Sequence, residues 1–288
     1  MKKFVIGVLT IALAALTLFT MTACDKIVKL EITLSLYDAE DEAMEEKTIT
    51  FDMYENLAES AVNAVRDAVN GGAYDDCVFY VQSVGGTSVS SQLMFGGLKK
   101  SGKSYVKVEQ AAVPTAEFEK NGVTGSNLKN LKGYLGLWRS WDSWKSYSTS
   151  GFDRSSAVIY MPTTDSISAY DGNFCVFAKY SAEDDLDVIE SLIALLEDED
   201  NYTEYTCYYT ADADGKLAHD AEGKPVWNIV ATENFDNVDN VYDSEDDKTE
   251  ESSKDTQYDS YTVQIPDEIS VGELASRMKK TGAEVVKC

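Results

Sequence analysis

The chain is poor in histidine, proline and basic residues. His219 is the single histidine of 288 residues. That excludes multi-histidine zinc and iron sites and makes a Ser-His-Asp triad a poor reading. Four prolines and 18 glycines exclude a collagen-like or proline-rich linker protein. Neither a GxxxxGK[ST] nor a GxGxxG loop occurs, so the fingerprints of nucleotide sites are missing. Lysine plus arginine reaches only 25 against 50 acids, a formal net charge of −25. Such a surface repels phosphate backbones and anionic lipid, which excludes nucleic acid as a partner and polybasic membrane docking as a mechanism. With 44% hydrophobic residues, the composition is that of a globular protein.

At the N-terminus, Lys2 and Lys3 precede an apolar run from Phe4 to Phe19, and Met21-Thr-Ala-Cys24 follows. The run is short for a membrane span and reads as an export signal. The cysteine after a small residue resembles the bacterial lipobox, with Met21 in place of the usual leucine. The resemblance implies cleavage before Cys24 and diacylglyceryl attachment to its sulfur. The expectation is an extracytoplasmic protein, lipid-anchored to the bacterial cell membrane and monomeric. Cys77, Cys175, Cys207 and Cys288 remain, with no spacing that selects disulfide partners. Cys77 and Cys175 read as small buried residues within strands.

Along the mature chain, Val28–Leu36 and Lys47–Met53 alternate apolar and polar residues and predict a hairpin. Ala58, Ala61, Val62, Val65 and Val69 fall at helical spacing, and Gly71-Gly72 stops the helix. Strands are predicted at Val78–Val81, Ala157–Met161 and Asn173–Tyr180. A second helix, acidic in its first turn, is predicted over Asp185–Leu196. Thr203–Tyr209 and Val226–Ala231 read as a hairpin. Asp212 and Asp214 lie between these runs and belong to a turn, not to a calcium loop. Residues 233–259 hold 11 acids against two lysines and read as a solvated linker. Tyr261–Ile265 is a candidate last strand and Ser270–Val286 a candidate terminal helix. The pattern is mainly β: an antiparallel barrel or sandwich plugged by two helices. The chain divides into a leader (1–23), a main domain (24–231), an acidic stretch (232–260) and a C-terminal extension (261–288).

Several segments, taken in order, resemble the cyclophilin-type peptidyl-prolyl isomerases. Ile49-Thr-Phe-Asp-Met-Tyr54 with Leu57-Ala58 resembles the family's strand and first helix. Gly72-Ala-Tyr74 and Val78-Phe79 resemble the run leading into its Phe-His-Arg. Met94-Phe95-Gly96-Gly97 resembles "MIQGGD", and Glu117-Phe118 through Trp138-Arg139 resembles "EF…LKHTRGTISMAR". Asp171-Gly-Asn-Phe-Cys-Val-Phe-Ala-Lys179 resembles "LDGKHVVFGK". The resemblance implies an eight-stranded antiparallel barrel capped by two helices, and a substrate that is an Xaa-Pro bond in an extended peptide. No cofactor or metal is implied.

The departures fall on the chemistry. The arginine slot holds Val81, the pocket glutamine falls on Phe95, the Gln-Phe-Phe segment falls on Ser156-Ala157-Val158, and the pocket histidine falls on Phe174. A valine donates no hydrogen bond, and a donor placed at a transition state is commonly worth about 3 kcal/mol. The expected peptide groove is therefore Phe79, Met94, Phe95, Gly96, Val158 and Phe174, around a catalytic slot emptied at Val81. Lys99, Lys100 and Arg139 are near in sequence as replacement donors. Trp138, Trp141 and Trp144 read either as an aromatic lip for a peptide or glycan, or as filling for volume the missing pocket aromatics leave. The expected function is binding of extended or proline-containing segments of exported proteins, with weak or lost isomerase activity. The alternatives are a working isomerase and a non-catalytic ligand-capturing lipoprotein.

Overall fold

The structure, a computed structural model, describes residues 4–12, 26–38, 43–83, 92–102, 104–123, 128–141, 145–196, 202–214, 216–237 and 261–266. Its strands are β1 (Phe4–Ala12), β2 (Ile27–Asp38), β3 (Ala43–Tyr54), β4 (Cys77–Ser83), β5 (Gln92–Ser101) and β6 (Ser104–Lys107). Then follow β7 (Tyr134–Arg139), β8 (Ser155–Pro162), β9 (Val176–Tyr180), β10 (Tyr202–Tyr209), β11 (Trp227–Ala231) and β12 (Tyr261–Pro266). Two helices interrupt them, α1 (Glu59–Asn70) and α2 (Glu183–Leu196). Every ladder is antiparallel. The sheet order is β1-β2-β3-β9-β7-β8-β5-β4-β12-β10-β11, with β6 paired to β5. The class expected from the sequence, mainly β and antiparallel with two helices, is the class observed. The sheet holds more strands than eight because β1 adds at one edge, beside β2, and β12, β10 and β11 add at the other, beyond β4.

Both hairpins predicted from alternation are present: β2 pairs β3 from Ile27↔Tyr54 to Asp38↔Ala43, and β10 pairs β11 from Tyr205↔Ala231 to Tyr209↔Trp227. The two Asp-Ala-acid-Gly-Lys turns between β10 and β11 share one device. Asp212 Oδ1 accepts from the Asp214 and Lys216 amides, and Asp220 Oδ1 from those of Glu222 and Lys224. Phe4–Ala12, inside the run read as a leader, lies as β1 along β2. Cys24, Cys288, Trp144, the terminal-helix segment and the acidic stretch beyond residue 237 lie outside the described residues.

The sheet carries apolar residues on both faces. Strand alternation sends Phe79 and Val81 to one side of β4, and Val78 and Tyr80 to the other. The first side also receives Leu30, Ile32, Phe51, Leu135, Ile159 and Phe177, and is closed by α1 and α2. The second side is dominated by tyrosines and tryptophans. Burial on both faces explains why β5 has no alternation to read: Gln92–Leu98 is buried throughout.

The N-terminus of α1 has no side-chain cap of its own, since its N-cap is Ala58. Glu117, almost wholly buried, supplies one from a distance: its carboxylate accepts from the Ser60 amide (2.6 Å) and the Ala61 amide (3.3 Å). A carboxylate there satisfies donors the helix leaves open and meets the positive end of its dipole. Glu117→Ala is expected to lower the unfolding free energy by about 1–2 kcal/mol in urea titration. The exposed neighbour Glu119→Ala is expected to change it by less than about 0.5 kcal/mol.

Candidate functional site

The six expected groove positions and the Val81 slot are all described, and they divide between the two faces of the sheet. Phe79, Val81 and Phe95 lie on the helix-covered face, inside the main core, with Val81 only 4% exposed. Met94, Val158 and Phe174 lie on the other face, in the aromatic layer. Phe79 pairs with Phe95, and Val81 with Leu93. Successive residues of a strand point to opposite sides, so Met94 and Phe95 do not face one groove.

Gly96 and Gly97 stand between the two groups. The β4–β5 ladder runs Val78↔Leu98 and then Phe79↔Phe95, so both glycines bulge out of register. The Tyr74 and Tyr80 side chains fill the places where their side chains would go. Gly96 has φ +84°, and its carbonyl accepts from Gln110 Nε2 at 2.8 Å.

On the aromatic face, Phe174 is the centre. It stacks on Trp138 (ring centroids 5.6 Å apart, 26° between planes) and lies 4.3 Å from Tyr170. Tyr160 meets it edge-on at 5.6 Å, and Trp141 edge-on at 6.4 Å. Tyr147 packs against Trp141, Tyr170 and Phe174. Phe174, Tyr160 and Tyr170 are buried; Trp138, Trp141, Tyr147 and Val158 are half-buried and form the outer layer. Of the three tryptophans, Trp138 and Trp141 thus stand together in the half-buried layer of this cluster. Sequence reading found Trp138, Trp141 and Phe174 but missed Tyr147, Tyr160 and Tyr170. Alternation of Val158 and Tyr160 on β8 was the available signal.

Arg139 is wholly buried beside this cluster. Its Nε donates to the Asn173 carbonyl at 2.8 Å, Nη1 to the Ser150 carbonyl at 2.6 Å, and Nη2 to the Tyr147 carbonyl. The guanidinium carbon lies 4.6 Å from the Phe174 ring centre and 5.0 Å from that of Phe152. Burial pulls its pKa down to about 10. The side chain is committed to these three carbonyls. Lys99 is held at the surface by Asp76 at 3.1 Å.

Other titratable groups behave as structural groups. Cys77, Cys175 and Cys207 are buried and form no disulfide among the described residues. Burial pushes the Cys77 thiol up to about 11, so it carries negligible thiolate at neutral pH. The Tyr160 hydroxyl donates to Asn130 Oδ1, and Asn130 in turn donates from its amide (2.9 Å) and Nδ2 (3.0 Å) to Asp171 Oδ1. Partial burial raises the Asp171 pKa, but the Asn130 donors and Lys129, 3.3 Å from Oδ2, outweigh it and hold it below the ordinary value. A carboxyl depressed in this way adds stability above its unfolded pKa of about 3.9, lost as pH falls through the folded value. Asp171→Asn is therefore expected to shrink the fall in urea midpoint below about pH 4. His219 is exposed. Among the described residues no group of three or more His, Cys, Asp or Glu is placed to hold a metal ion, and no helix is long and apolar enough to cross a membrane.

No protein-family model matches the chain, and no curated protein matches it. Among solved structures it is similar to a cyclophilin-type peptidyl-prolyl cis-trans isomerase of Cryptosporidium parvum. The TM-score is 0.31 at 14% identity, over 64% of this chain and 87% of that one. A structure of that enzyme solved in the presence of the dipeptide Ala-Pro gives a TM-score of 0.30 at 14% identity, over 64% and 92%.

Proposed function

We propose that the chain is a cyclophilin-like lipoprotein, held outside the cytoplasmic membrane by Cys24, that binds extended or proline-containing segments of exported proteins with little or no isomerase activity. The observation that carries the binding half is the aromatic cluster around Phe174. Trp138, Trp141 and Tyr147 are half-buried and pack on the buried Phe174 ring, so part of each side chain stays open to a ligand. Rigid aromatic surfaces suit a pyrrolidine ring and an extended backbone, giving contact area at low entropic cost.

The weak-activity half rests on the slot at Val81. Rotation about an Xaa-Pro bond is accelerated by a site complementary to the twisted amide, and a donor is the usual means. Val81 lies in the core beneath α1 and α2, and Arg139 is bound elsewhere. The ordered segment matches between Ile49 and Lys179 support the family reading, since they fall on β3, α1, β4, β5, β7 and β9 in chain order.

The test is NMR exchange spectroscopy on an Xaa-Pro peptide with the full chain. Uncatalysed exchange takes tens to hundreds of seconds. The expected result is no acceleration, with peptide resonances that shift on adding protein and cease to shift with Trp138→Ala/Trp141→Ala. Accelerated exchange would restore the working isomerase. Absent shifts would turn the search to ligands other than proline peptides.

A further inference from the structure

β6 and β11 each pair on one side only, β6 with β5 and β11 with β10. They lie beside each other without a ladder between them among the described residues. Between them is a cleft of about 390 Å³, walled by Tyr105, Val106 and Lys107 from β6 and by Trp227 and Ile229 from β11. Val106 is 44% exposed, one of the few large apolar side chains that far out. The Trp227 indole Nε1 is buried and meets no acceptor among the described residues.

Charge distinguishes this hairpin from the rest of the molecule. Residues 99–107 hold Lys99, Lys100, Lys103 and Lys107 and no acid, in a chain of net charge −25. Pairing across the hairpin puts Lys100 on the face of Tyr105, and Lys107 on the face of Leu98. Lys107 Nζ lies 3.4 Å from the Tyr209 hydroxyl, so this cation is seated at the mouth of the cleft. Strand edges are sticky, and proteins protect them by charge or by cover. Here two edges share one groove, and the charge beside it has the sign opposite to that of the protein.

We infer that the cleft between β6 and β11 is a docking site for an extended acidic segment of another polypeptide, which adds to the sheet as a strand. Main-chain pairing to an edge supplies affinity; alternate apolar side chains of the segment meet exposed Val106, and the acids between them fall on the opposite face, that of Lys100 and Lys107. A carbonyl or carboxylate of the segment is the acceptor that Trp227 Nε1 lacks. The cleft shares no residue with the Trp138–Trp141–Tyr147 cluster, so this inference stands or falls separately from the proline-peptide reading.

The probe is a fluorescein-labelled peptide, Glu-Val-Glu-Val-Thr-Val-Glu, titrated with the full chain and followed by anisotropy and by indole emission. Saturable binding is expected. The Lys100→Glu/Lys107→Glu variant is expected to weaken it about tenfold, as is raising the salt. Methylating alternate peptide nitrogens is expected to abolish it, because that removes strand pairing and leaves the charge. Trp227→Phe, which keeps an aromatic ring, though a smaller one, and loses the donor, is expected to weaken it a few-fold. Equal binding of the lysine-for-glutamate peptide, indifference to N-methylation, or no binding by the acidic peptide would each overturn the inference. Binding that emerges only when the acids of residues 238–257 are changed to serine would also overturn it, by making the chain's own segment the occupant.

Discussion

Arg139→Met is expected to lower the free energy of urea unfolding by about 3–5 kcal/mol. The arginine is wholly buried, and three main-chain carbonyls, from Asn173, Ser150 and Tyr147, depend on it for donors. A buried acceptor left unsatisfied costs about 1–3 kcal/mol, and methionine satisfies none of the three. The flat contacts with Phe174 and Phe152 go with the guanidinium. Arg139→Lys is expected to fall between the two, because an ammonium keeps the charge but not the planar fork that reaches three carbonyls. A change below about 0.5 kcal/mol for Arg139→Met would mean the side chain sits at the surface, and would reopen it as a replacement donor for the Val81 slot.

Gly96→Ala is expected to lower stability by about 2–4 kcal/mol. Two costs add. The residue has φ +84°, which an L side chain adopts at a cost of about 1–2 kcal/mol. A Cβ there would also come within 2.5 Å of the Tyr74 ring. Tyr74 cannot easily give way, since it is buried and its hydroxyl is anchored on the Ala157 carbonyl at 2.5 Å. Gly102→Ala separates the two costs. It has φ +63°, but nothing lies within 4 Å of its Cβ position, so only the backbone cost of about 1–2 kcal/mol is expected. Equal losses at both glycines would mean that the Tyr74 ring moves aside freely.

The parts of the fold legible in the sequence are those with one wet face. β2 and β3 alternate, and α1 and α2 repeat at helical spacing, because each shows water a polar side. β5 is buried on both sides, so its pattern says only apolar, and the resemblance of Met94-Phe95-Gly96-Gly97 was what marked it. β6 hid behind lysines. The role of Glu117 is invisible locally, since the amides it caps are more than fifty residues upstream. The candidate site was legible as a list and not as a surface. A linear match assigns slots, whereas strand alternation put Phe79, Val81 and Phe95 under the helices and Met94, Val158 and Phe174 with the tyrosines. Arg139 shows the same limit: its type suggests chemistry, but only packing reveals that each of its three nitrogens is bound to a main-chain carbonyl.

The Glu117 contact with α1 also sets a timetable for the chain as it is made. Ser60 is synthesised 57 residues ahead of the carboxylate that completes its helix. At about 5–20 residues per second, that is an interval of about 3–11 s in which the α1 segment has left the ribosome before its cap exists. A 12-residue helix is marginal on its own in water. The segment therefore spends those seconds as a fraying amphipathic stretch, open to whatever binds nascent apolar chain, and it closes when Glu117 arrives.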